Sequence, residues 1–114
     1  MTPAQALESH RRALNEVGRD IIIRRWTGPT GARVATDVTT RARVMGYAPE
    51  KVVGAVQVGD RKVIALADSL SSLLPLLDSD KVLIDGTEFG IRFIDDQTRR
   101  IAGVLIALEI QIAG

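Results

Sequence analysis

The stretch Asp80–Gln97, "DKVLIDGTEFGIRFIDDQ", decides the fold of this chain. Val82 and Ile84 lead into Asp85-Gly86, and Phe89, Ile91 and Phe93 follow at alternate positions. Asp-Gly is a favoured pair for a two-residue hairpin turn, because both central positions need a positive φ. Alternation of apolar and polar residues is the period of a strand with one face buried. The stretch therefore predicts an antiparallel hairpin with Phe89, Ile91 and Phe93 turned toward a core.

Toward the C-terminus, "RIAGVLIALEIQIAG" sets Leu108, Ile110 and Ile112 against Glu109 and Gln111, which predicts a last strand. Between the two, "IDDQTRR" carries the adjacent carboxylates Asp95 and Asp96. Neighbouring residues at a strand end point apart, so a turn closed by Thr98 fits better than the paired carboxylates of a glycosidase or metal site.

Toward the N-terminus, "DSLSSLLPLL" reads as a short helix capped by Asp68 or Ser69 and cut by Pro75. "GAVQVGDRKVIALA" offers two β runs joined around Gly59-Asp60, and "ATDVTTRARVMGY" alternates Val38, Thr40, Ala42 and Val44 with Thr39, Arg41 and Arg43. "RDIIIRRWT" is a further β run that ends at the turn "GPTG". "TPAQALESHRRALNEVG" is a helix, with Thr2 as cap, Pro3 at the first helical position and Gly18 as terminator. Leu7, His10, Leu14 and Val17 share its apolar face.

The expected architecture is mainly β: a small antiparallel barrel or sandwich of about six strands, with an N-terminal helix, a short inserted helix and a long projecting loop. At 114 residues the whole chain, 1–114, makes one domain, with the helix over 3–17 and the barrel over 19–114. Aromatic residues are only 4%, so the core is aliphatic.

Composition narrows the chemistry. Fifteen basic against fourteen acidic residues leave a net charge of +1, without the basic excess of a nucleic-acid binder. The chain has no cysteine, which removes disulfides, thiolate nucleophiles and sulfur-based zinc sites. His10 is the one histidine, and on an apolar helix face it reads as structural or interfacial rather than as a general base. "GPTGAR" and "GTEFG" lack the spacing of phosphate-binding loops and read as turns. Arg24-Arg25, Arg41/Arg43, Arg61-Lys62 and Arg99-Arg100 are basic spots that suit a solvated or protein-facing surface. The sequence therefore implies no enzyme, cofactor or metal. No segment reaches the roughly 20 apolar residues of a membrane helix. The start "MTPAQALESHRR" is charged where a signal peptide is apolar, which reads as a cytoplasmic product.

One stretch has no place in such a core. In "GYAPEKVVGAVQVGDRKVIALA", from Gly46 to Ala67, the run Val52, Val53, Gly54, Ala55, Val56 is apolar yet small. Together with "DKVLIDGTEFGIRFID" and the last strand "GVLIALEIQI", it resembles the head-closure or stopper proteins of long-tailed bacteriophages and prophage-like particles. The resemblance covers roughly residues 19 to 114. It implies a small β-barrel that forms a ring, commonly a hexamer, in the virion neck, assembled in the host cytoplasm. Its partners are the head adaptor or portal on one side and the tail terminator or tail tube on the other. Packaged double-stranded DNA passes through the channel.

The resemblance further implies a channel loop and oligomer interface at Tyr47, Pro49, Glu50, Lys51, Val52, Val53, Gly54, Ala55, Val56 and Gln57. Trp26 and Arg61 are candidate interface anchors. Two alternatives stay open: another neck or tail ring protein such as a tail terminator, and a small oligonucleotide-binding barrel.

Overall fold

The computed structural model describes residues 1–46 and 60–113. Helix α1 spans Pro3–Val17. Thr2 Oγ1 accepts from the Gln5 amide at 3.1 Å, and Gln5 Oε1 accepts from the Thr2 amide at 2.9 Å, a reciprocal capping box. Gly18 ends the helix by donating to the Leu14 carbonyl at 2.8 Å. Its φ of −91° suits any residue, and what demands glycine is space: a Cβ there would clash with Leu14 O and lie 2.8 Å from Ala42 O. The buried face of α1 is Ala6 and Leu14, with Leu7 and His10 partly covered. Val17, expected on that face, is 60% exposed in the last turn.

Among the described residues eight strands follow in the order β1 (Arg19–Thr27), β2 (Val34–Gly46), β3 (Arg61–Leu66), β4 (Lys81–Ile84), β5 (Thr87–Asp95), β6 (Arg100–Ile101), β7 (Val104–Leu105) and β8 (Ala107–Ile112). Six of them close an antiparallel barrel in the order β1-β2-β3-β8-β5-β4, with β4 returning to β1. β6 and β7 form a separate small hairpin. The mainly β class, the barrel of six strands and the N-terminal helix are thus as the sequence predicts, and the strands hold an interior of Ile21, Ile23, Val63, Val82, Leu108, Ile110 and Ile112.

The β4–β5 turn has Asp85 at φ 52° and Gly86 at φ 81°, the double positive φ that the Asp-Gly pair predicts. Ala102 at φ 51° and Gly103 at φ 79° repeat the device between β6 and β7. A short 3-10 helix, Asp68–Leu73, is inserted between β3 and β4 and sends Leu70 and Leu73 into the core. Its cap is Ala67, which offers no side-chain hydrogen bond, rather than Asp68 or Ser69.

Phe93 departs from the expected alternation. β5 pairs Ile91 with Ile112 and Phe93 with Gln111, so Arg92 is an extra residue in the ladder, a β-bulge. Beyond the bulge the faces exchange. Ile94 packs on the core and Phe93 is 62% exposed.

Candidate functional site at the base of the β2–β3 connection

β2 and β3 are paired through Ala42↔Ala65 up to Gly46↔Arg61. The connection that carries the expected channel loop thus leaves and re-enters the barrel wall at adjacent positions. Tyr47, Pro49, Glu50, Lys51, Val52, Val53, Gly54, Ala55, Val56 and Gln57 all lie outside the described residues, as does Gly59 of the expected turn. Its base, however, is well defined.

Asp60, the residue before β3, is buried at 4% exposure. Arg92 Nε donates to its Oδ1 at 3.0 Å and Gln111 Nε2 to its Oδ2 at 3.0 Å. The bulge turns Arg92 of β5 to this carboxylate, and the polar alternation of β8 brings Gln111. A buried carboxylate is costly unless it is ion-paired and hydrogen-bonded, and Asp60 has both. It fastens the start of β3 to the two strands that lie next along the wall. One residue on, the Arg61 guanidinium lies 4.5 Å from the Phe89 ring centroid on β5, a cation–π contact. Arg61, expected as an interface anchor, therefore also packs within its own chain.

Trp26 pairs with Ala35 on β2, eleven positions along that strand from the Gly46 that faces Arg61. The two candidate anchors nonetheless both reach β5, Trp26 at Glu88 and Arg61 at the next residue, Phe89. Two guanidiniums lie over the Trp26 ring, Arg33 at 4.5 Å and Arg24 at 5.3 Å from its centroid, and its Nε1 donates to Glu88 Oε2 at 3.2 Å. Arg24 grips Asp37 across the strand pair through Nε at 2.7 Å and Nη2 at 2.8 Å. That hydrogen-bonded pairing holds the Asp37 carboxyl below its ordinary range and raises Arg24.

The basic spots of the sequence do not merge into one surface. Arg24 and Arg25 point to opposite faces of β1, and Arg25 binds Asp80. Arg41 donates to the Leu14 carbonyl at the end of α1, Arg99 to Glu109, and Arg100 to the carbonyls of Asp96 and Gly103. His10 is built into the helix seat, with Nδ1 3.0 Å from the Ala6 carbonyl oxygen and Nε2 3.4 Å from Arg99 Nη1. Asp95 closes a turn, accepting from the amides of Gln97 and Thr98 at 2.9 and 3.0 Å and from Thr98 Oγ1 at 2.6 Å. These bonds, led by the Thr98 hydroxyl, lower the Asp95 pKa.

Sequence reasoning reached Asp60 only as a turn residue and did not single out Asp80 or Arg92. Among the described residues no group of His, Asp or Glu could hold a metal ion, and no helix is long and apolar enough to cross a membrane. No protein-family model matches the chain, and no curated protein matches it.

Proposed function

We propose that this protein is a structural ring subunit of a virion neck, in which the β2–β3 connection faces the DNA channel and the barrel wall carries the contacts to head and tail. The observation that supports it is the reinforced base of that connection. Asp60 is tied to Arg92 and Gln111, and Arg61 lies on Phe89, so the root of the loop is fixed to two neighbouring strands, β5 and β8. A loop that must close a channel and later yield to DNA needs such a rigid root, because otherwise its displacement would propagate into the barrel. Small residues at Val52, Val53, Gly54, Ala55 and Val56 suit close packing of several copies around an axis, and glycine suits a backbone that must bend. In this reading the protein has no catalytic role, and its partners are further copies of itself, the head adaptor or portal, the tail terminator or tail tube, and packaged DNA.

Particles assembled with residues 48–56 deleted test the reading. The expected result is a folded barrel, checked by circular dichroism on the purified variant, and heads that lose DNA or fail to join tails. Particles that keep their DNA and infect normally would overturn it. Salt-sensitive binding of free single-stranded oligonucleotides by the purified protein would favour an oligonucleotide-binding barrel instead.

A further inference from the structure

The two neighbours of β2 cover different parts of it. β1 pairs with Val34–Ala42, whereas β3 pairs only with Ala42–Gly46. On the β3 side, the backbone from Val34 to Arg41 therefore meets no strand among the described residues. The 3-10 helix lies against β2, and Thr40 is buried, but Val34, Ala35, Thr36 and Asp37 are exposed. β4 reaches β1 only at Ile22–Arg24. Arg25–Thr27 and Val34–Thr36 thus form a two-stranded arm that outruns the barrel wall.

Free edges in soluble proteins are usually blunted by proline, lysine, bulges or an uncompensated charge. The segment Val34–Val38, "VATDV", has none of these, and its one charge, Asp37, is matched by Arg24. Its β-branched residues suit an added strand, and main-chain pairing supplies affinity at such an edge.

Arg33, at the foot of this edge, adds a chemical preference. Its guanidinium is stacked on Trp26, and it makes no ion pair or hydrogen bond among the described residues. Stacking fixes the plane of the group and leaves the rim of N–H donors to solvent, a preorganised fork for one carboxylate. Trp26 is itself held by Glu88 and by Arg24, so the fork rests on a braced platform. A nucleic-acid backbone fits less well, because Asp37 and Glu88 flank the site and balance its two arginines. An isolated acidic side chain can approach Arg33 without meeting both carboxylates.

We propose that the β1–β2 arm docks an extended acidic segment of a partner polypeptide, which pairs with the free edge of β2 at Val34–Asp37 and brings a carboxylate to Arg33. This proposal does not rest on the neck reading.

Selection of a random dodecapeptide library, displayed on yeast, against the full chain tests it. The selected peptides are expected to be rich in β-branched residues with an acidic side chain. Arg33→Glu is expected to weaken their binding by about tenfold or more, while the variant keeps its circular dichroism spectrum. Bound peptide is expected to slow amide hydrogen exchange within Val34–Asp37. The same selection on Arg33→Glu is expected to return basic peptides, which separates loss of the site from loss of the fold. The proposal is overturned by failure to select any binder, by binders indifferent to Arg33→Glu, or by unchanged exchange at the edge. Displacement of the peptide by a single-stranded oligonucleotide would overturn it in favour of a phosphate site.

Discussion

Arg25 holds Asp80 with two parallel hydrogen bonds, Nε to Oδ1 at 2.9 Å and Nη2 to Oδ2 at 2.8 Å. The carboxylate is 1% exposed and also accepts from the Leu77 amide, while Arg25 Nη2 reaches the Leu73 carbonyl at the end of the 3-10 helix. A single β1 side chain thereby joins the inserted helix to the entrance of β4. Asp80→Ala leaves the guanidinium half-buried without its partner, and is expected to destabilise the fold by about 3–5 kcal/mol. Equilibrium urea unfolding measures this. The double variant Arg25→Met/Asp80→Leu should lose less than the two single changes together, since neither charge then remains unmatched.

Asp60 gives a second stability prediction with a local signature. Asp60→Ala removes the acceptor of both Arg92 and Gln111, and is expected to cost about 2–4 kcal/mol. If the carboxylate anchors the start of β3, amide exchange in Arg61–Val63 should accelerate more than exchange in β1. Uniform acceleration would show instead that Asp60 acts only on the global fold.

The Asp95 turn predicts a pH dependence of definite sign. Its carboxyl loses a proton more readily in the folded chain than in the unfolded one, because Thr98 and the Gln97 and Thr98 amides bond to the charged form. The unfolded state therefore binds more protons in the acid range, and stability rises with pH. The contribution is complete above the ordinary aspartate value, about 4, and is lost as pH falls through the lower folded-state value. Unfolding midpoints measured between pH 6 and pH 2, on the order of one point per half unit, should show a shallower acid loss for Asp95→Asn than for the native chain. Asp37→Asn should act in the same direction through Arg24.

The bulge at Arg92 predicts a contrast between neighbours. Phe93→Ser is expected to change stability by no more than about 0.5 kcal/mol, because the ring is already solvent-facing. Ile94→Ala should cost about 1–3 kcal/mol, because Ile94 packs against the core. Chemical denaturation of the two variants decides the point, and the reverse order would mean that the strand keeps regular alternation.

Much of the barrel was legible because its signals are local. Asp85-Gly86 specifies its own turn, the Val38–Val44 alternation its own strand, and Thr2, Pro3 and Gly18 their own helix ends. The bulge was not legible, because a single extra residue leaves no local mark and is set by the register of β5 against β8. That register reassigned the buried side from Phe93 to Ile94. Asp60 and Asp80 were equally opaque: an aspartate beside a turn looks solvated until distant arginines converge on it, Arg92 thirty-two positions away and Arg25 fifty-five. The expected channel-loop residues between Tyr47 and Gln57 rest on composition and resemblance, and that Trp26 and Arg61 both reach β5, at Glu88 and Phe89, was not legible because it depends on closure of the barrel.

The position of β8 in the wall orders events during synthesis. β8 lies between β3 and β5, yet it leaves the ribosome after both. Until it emerges, the nascent chain can form a sheet of β3, β2, β1, β4 and β5 whose two outer strands both present unfilled edges to solvent. Closure is therefore a late, long-range event that waits for Ala107–Ile112, and shielding of those edges before release of the chain is where a chaperone would have most effect.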